Sequence, residues 1–202
     1  MEKKRLKEEK MQEFENMVDT MKANGYEARE GIISVVKANV MAIVLAGPIV
    51  VLLFIVYSSV ATQRQLEGEI NLVGSGLFFL SLLISIPIHE LLHGIGWSCF
   101  CENGWKSIRF GMMWKYLTPY CHCKEALNVP AYLFGGLFPL VVLGFGSYIV
   151  AIIGGNIGVL LFSLFNVLAA GGDITIALML RKHRGAVIID HPIDCGFVAF
   201  HK

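Results

Sequence analysis

The chain has 202 residues, enough for one ordinary domain, yet 55% of them are hydrophobic, only 16% are charged and the mean hydropathy is +0.61. Soluble proteins carry about 25% charged residues, so this chain lacks the polar surface to cover a globular core, and its apolar excess must face lipid or a partner. Seventeen Lys plus Arg against 16 Asp plus Glu leave a net charge of +1, with no basic excess to neutralise a phosphate backbone, which argues against nucleic acid as a partner.

Residues 1–37 concentrate eight basic and eight acidic side chains. Among them Met11, Phe14, Val18 and Met21 recur at helical spacing. This predicts an amphipathic helix that ends near Asn24-Gly25 and rests its apolar stripe on the membrane surface or on the protein. Beyond it charge disappears in blocks. Ala38 to Gln63, Ile70 to Ile88 and Ala126 to Gly172 contain no Asp, Glu, Lys or Arg, against the roughly 20 residues that a helix needs to cross a bilayer. Gly154-Gly155-Asn156 is a turn signal that divides the longest block in two. Four transmembrane helices are therefore predicted, near 39–61, 71–98, 130–152 and 157–181. The first is too long for the apolar region of a secretory signal, roughly 7–15 residues, and is expected to remain as an anchor.

Orientation follows from basic residues in short connections. The Arg64 to Glu69 connection has one Arg against two Glu, and the Gly154 to Asn156 turn is uncharged; both read as external. Lys106, Arg109, Lys115 and Lys124 mark the connection between the second and third spans, and Arg181, Lys182 and Arg184 follow the fourth. Both termini of this multi-pass cell-membrane protein are thus expected in the cytoplasm. The chain divides into a cytoplasmic amphipathic segment (1–37), a membrane-embedded domain (38–182) and a cytoplasmic tail (183–202). Alternation of Ile108, Phe110, Met112 and Trp114, and again of Leu117, Pro119, Cys121 and Cys123, predicts a small cytoplasmic β-hairpin between the second and third spans. Pro119 has no N–H, so the second strand reads as an edge, able to pair an extended peptide with Tyr120 to Cys123. The fold class is an all-α membrane protein with four transmembrane helices and this hairpin.

The chemistry starts at His89-Glu90-Leu91-Leu92-His93, the H-E-x-x-H pattern. Residues four apart lie one turn above each other on a helix, so both imidazoles can reach one metal ion, while Glu90 stands beside it as general base. These ionisable groups extend an apolar run within a membrane span, where charge is costly and usually functional. Catalytic zinc takes three protein ligands, and Asp173 is the candidate for the third: no other charged residue lies between Glu125 and Arg181. It follows Gly171-Gly172, whose small side chains let another helix approach. Asn166, seven residues before Asp173 and on nearly the same helix face, could hold a substrate carbonyl or bridge two helices. His122 could donate to an oxyanion or be a surface residue. Pro87 is expected to kink the second span. The five cysteines fall on the reducing side, which argues against disulfides, and Cys99, Cys101, Cys121 and Cys123 form two C-x-C pairs that could hold a structural zinc. His183, His191 and His201 read as solvated residues of the tail.

HELLHG in one span, the loop TPYCHCKEAL, NVLAAGGD in a later span and the tail DHPIDCGF together resemble the zincin-peptidase family of small bacterial integral membrane proteins. More distantly, HExxH and the later membrane Asp are similar to site-2-protease-type intramembrane metalloproteases. Ala169 and Ile174 stand where that class usually has the Pro of N-x-x-P and the Gly of D-G. The resemblance implies a Zn2+ cofactor held by His89, His93 and Asp173, with peptide hydrolysis assisted by Glu90. The expected partners are the lipid bilayer and a membrane-protein or peptide substrate. The competing readings are a non-catalytic membrane protein that binds or senses zinc, and a carrier or scaffold without metal.

Overall fold

The computed structural model describes residues 2–64, 72–114 and 118–202. Most of the Arg64 to Glu69 connection and the Lys115 to Leu117 turn lie outside the described residues. The elements in chain order are helix α1 (Glu2–Ala23), strand β1 (Glu27–Ile33), helices α2 (Val35–Arg64) and α3 (Leu72–Ser98), strands β2 (Ile108–Met113), β3 (Thr118–Cys123) and β4 (Leu127–Asn128), helices α4 (Val129–Pro139), α5 (Ser147–Gly154), α6 (Ile157–Ala169) and α7 (Gly171–Leu180), and strands β5 (Val187–Asp190) and β6 (Cys195–His201).

Among the described residues, three helical segments are long and apolar enough to cross a membrane, at Val35–Gln63, Ser75–Ser98 and Val129–Gly154. The third holds a π-helical stretch, Leu140–Gly146, between α4 and α5. Such a stretch widens the helix and frees backbone carbonyls, and the Gly144 carbonyl accepts the Ser163 hydroxyl of α6 at 2.9 Å. Helices α6 and α7 meet at a 42° bend around Ala170 and supply a fourth span if taken together. Helix α3 runs on through Pro87. Large apolar side chains such as Leu52, Ile55, Leu83, Ile149 and Ile153 lie exposed along these helices, the surface that a bilayer would cover.

At one end of the spans the extramembrane segments form a single layer. β1, β6, β5 and β4, in that order, make a four-stranded antiparallel sheet, so the N-terminal segment pairs directly with the tail: Glu27 faces His201 and Ile33 faces Cys195. Side chains of a strand alternate between faces. Ile188, Phe197 and Ala199 turn one way, into a cluster with Trp97, Tyr132 and Leu180 of the helix ends. Ile189, Val198 and Phe200 turn the other way onto Phe14, Met11, Val18 and Met21 of α1. The amphipathic stripe of α1 therefore rests on protein. β6 needs a residue without a side chain where it crosses β1: Gly196 has φ +144°, and a Cβ there would stand 2.1 Å from the Gly31 carbonyl oxygen.

The predicted hairpin forms from β2 and β3, with Arg109 opposite His122 and Phe110 opposite Cys121. The tail is not the solvated segment expected. The His191 side chain is 8% exposed, and His183 Nδ1 lies 3.0 Å from His201 Nε2. Tail residues pair with a strand some 170 positions earlier, a long-range contact that local polarity does not reveal.

Candidate metal centre

α3 carries His89, Glu90 and His93, and α7 carries Asp173 in its first turn. Two close helix contacts bring them together. A Cβ on Gly171 would stand 2.7 Å from Ala42, so α7 lies directly on α2; a Cβ on Gly96 would stand 2.6 Å from the Gly135 Cα, so α3 lies directly on α4. The resulting cavity, about 900 Å³, reaches from the spans to the hairpin, α1 and the tail.

His89, Glu90 and His93 each bring a possible ligand atom within 4.8 Å of the others. Asp173 meets both imidazoles, with Oδ2 3.2 Å from His89 Nε2 and Oδ1 3.4 Å from His93 Nε2. Glu90 thus groups with the two imidazoles, and Asp173 approaches both from α7. The Glu90 carboxylate lies toward the Cys121 backbone of β3. Asp173 spans the two rings.

The donor set fits zinc. His93 Nδ1 lies 2.9 Å from the Gly135 carbonyl. A carbonyl only accepts, so Nδ1 carries the proton and the lone pair of a neutral ring falls on Nε2, facing the Asp173 carboxylate. Two acceptors pointed at each other are stabilised by a shared cation, and fixing a ligand imidazole through its other nitrogen is the usual outer support of zinc sites. His93 is further held by stacking on Trp97, at 5.2 Å between ring centroids and 15° between planes, and Trp97 Nε1 donates to the Tyr132 carbonyl at 2.9 Å.

The other candidate residues separate. Asn166 is 2% exposed and its amide donates to the Phe162 carbonyl one turn back at 2.8 Å. The bend at Ala170 ends the face it was expected to share with Asp173, and it does not line the cavity. It reads as a helix-packing residue. His122 is no surface residue: it is 5% exposed, lines the cavity and has Nδ1 2.9 Å from Asp190 Oδ2. Asp190 also accepts the Tyr132 hydroxyl at 2.7 Å and the Cys123 N–H at 3.2 Å. Asp190 and Tyr132 escaped the sequence reading. The sign available was a lone Asp closing the apolar run Ala186 to Ile189.

The strand edge differs from expectation as well. β3 is an outer strand, but the Cys123 N–H is already taken by Asp190 and Pro119 has none, which narrows the donors a peptide laid along Pro119 to Cys123 would find. The C-x-C pairs do not converge as four ligands: Cys101 Sγ lies 3.4 Å from Cys123 Sγ, whereas Cys99 contacts the Ile95 carbonyl and Cys121 faces Glu90 and Asp190. Burial pushes the Cys121 and Cys123 thiols well above their ordinary range, which keeps them protonated and poor ligands.

These features define a membrane-spanning protein with a zincin-type His-Glu-His group at the base of a cavity. A comparison with family models gives the narrower placement: the family described as "Putative zincin peptidase" matches residues 82–188, just over half of the chain, from within α3 to β5. The chain belongs to that family. No curated protein and no solved structure matches it.

Proposed function

We propose that this protein is a membrane-embedded zinc metallopeptidase that cleaves a membrane-protein or peptide substrate near the cytoplasmic face, in the manner of intramembrane metalloproteases. The observation that carries this reading is the convergence of His89, His93 and Asp173 beside Glu90, within a membrane helix and open to a cavity large enough for a peptide segment. His89, His93 and Asp173 hold the ion. Zinc there supplies Lewis acidity to the scissile carbonyl and makes water acidic near neutral pH. Glu90, lying toward the Cys121 backbone, takes the proton of the attacking water and delivers it to the leaving amine nitrogen. The burial of the site between α3, α7 and the strand layer limits competing water.

The test joins metal analysis of the purified chain to a proteomic comparison of cells carrying wild type or Glu90→Gln. The expected result is bound zinc in both proteins and an uncleaved membrane protein accumulating only with the variant. Zinc with identical proteomes would establish the non-catalytic zinc protein instead; absence of any transition metal from protein prepared without chelator would overturn the zinc site.

A further inference from the structure

Outside the His-Glu-His group the cavity wall contains a second polar cluster, drawn from three elements: His122 of β3 and Tyr132 of α4, and the distant Asp190 of β5. Asp190 accepts three hydrogen bonds. One carboxylate oxygen takes His122 Nδ1 at 2.9 Å and the Cys123 N–H at 3.2 Å, and the other takes the Tyr132 hydroxyl at 2.7 Å. A carboxylate accepts only, so Nδ1 of His122 is the donor, and the ring has Nε2 alone to offer the cavity that it lines. Also near this pair are His191, next to Asp190, and Arg109, opposite His122 on β2 and paired with Glu13 of α1 at 3.3 Å. Only Asp190 contacts the His122 ring directly among the bonds described here.

The cluster is coupled to the chemistry by one strand. The Cys121 backbone lies by Glu90, and the next residue along β3 is His122. The base thus lies by the strand position next to that of the imidazole. That strand has few N–H groups to stabilise charge on a substrate oxygen, because that of Cys123 is engaged by Asp190 and Pro119 has none.

Resting on the peptidase reading above, we propose that His122 is a catalytic residue whose Nε2–H hydrogen-bonds the scissile carbonyl oxygen as negative charge grows on it, and that Asp190, itself fixed by Tyr132, is its positioning residue. The role requires Nδ1 to keep its bond to Asp190 while Nε2 presents an N–H to the carbonyl oxygen, and no proton changes hands. A preorganised donor in a water-poor site stabilises the transition state more than the ground state, so its loss acts on kcat and leaves KM nearly unchanged.

The test uses the full chain, zinc-loaded in detergent micelles, and a library of internally quenched fluorescent peptides, with kinetics on the peptide cut fastest by wild type. Glu90→Gln sets the background. The expected result is a fall in kcat of roughly 100 to 1,000-fold for His122→Gln and of about 10 to 100-fold for Asp190→Asn, with zinc content and KM retained. Tyr132→Phe, which removes one hydroxyl, gives a smaller fall in the same parameter. Added imidazole restores part of the activity of His122→Gly, and does not restore the double variant His122→Gly with Asp190→Asn. Wild type no faster than Glu90→Gln would remove the peptidase reading and this inference with it. An active wild type with unaltered kcat in His122→Gln, or variants that lose zinc or fold and are not rescued by imidazole while Tyr132→Phe cuts at the wild-type rate, would overturn the inference alone.

Discussion

Two carboxylates line the proposed metal centre, and their neighbours differ. Asp173 aims one oxygen at each imidazole, 3.2 and 3.4 Å away, whereas Glu90 lies toward the Cys121 backbone of β3. A ligand and a base are expected to fail differently. Purified protein should contain about one zinc per chain, and His93→Ala or Asp173→Asn should remove most of it, because two ligands fall short of the three that catalytic zinc requires. Glu90→Gln keeps size and hydrogen bonding and should keep the metal, while peptide cleavage falls by roughly 100 to 10,000-fold. Metal analysis beside an activity assay checks both, and loss of zinc from Glu90→Gln would make Glu90 a ligand. The grouping of His89, Glu90 and His93 was legible because i, i+4 spacing within one helix is written locally. Asp173 was legible as an isolated charge in an apolar block. Asp190 was not, because its partners His122 and Tyr132 lie 68 and 58 residues away.

Helix packing sets where those side chains stand. Gly135 faces Trp97 so closely that a Cβ would fall 2.1 Å from the indole, and its carbonyl holds His93. Gly136, one residue on, has nothing within 4 Å of a built Cβ. Gly135→Ala should therefore cost about 1 to 3 kcal/mol of stability and weaken zinc binding by roughly 10 to 100-fold, with Gly136→Ala close to wild type in both; thermal melts and zinc titrations compare them. The connection after α3 has its own clamp. Glu125 accepts the N–H of Glu102 at 2.7 Å, the N–H of Asn103 at 3.1 Å, the Asn103 amide at 2.8 Å and the Ser107 hydroxyl. Slight burial opposes ionisation, but these donors outweigh it and hold the carboxyl below its ordinary value near 4.5. A depressed folded pKa adds stability above the unfolded value and loses it as pH falls through the folded one. Wild type should accordingly melt above Glu125→Gln at pH 6 to 7, and the gap should close as pH drops below about 4. A gap independent of pH would exclude the carboxylate as its cause. Of these elements the apolar spans and the hairpin were readable from charge-free blocks and period-two alternation. The bend at Ala170 was not, and it separates Asn166 from Asp173 despite a spacing that an unbroken helix would align.

At the scale of the whole molecule, the charged N-terminal segment, the hairpin and the tail build one layer over the ends of the spans. The sequence divides them widely; a four-stranded sheet with β6 between β1 and β5 joins the N-terminal segment to the tail, and the separate β2–β3 hairpin meets it where His122 bonds Asp190. Such pairing rests on loop closure across nearly the whole chain, a cost that must be met before the contacts form, so no local window of residues announces it. It has a topological consequence: positions near the C-terminus and in the hairpin connection must lie on one side of the membrane together. The basic residues argue that this side is the cytoplasm. In a Cys99→Ser background, which removes the exposed thiol, a membrane-impermeant maleimide should label Leu66→Cys in intact cells, and label Lys106→Cys and Lys202→Cys only after permeabilisation. The reverse pattern would keep the layer and turn the molecule over, placing the metal centre near the outer face. Opposite behaviour of positions 106 and 202 would break the layer itself, since Lys202 directly follows the strand whose residue His201 is paired with Glu27, and the hairpin reaches the same sheet through His122 and Asp190.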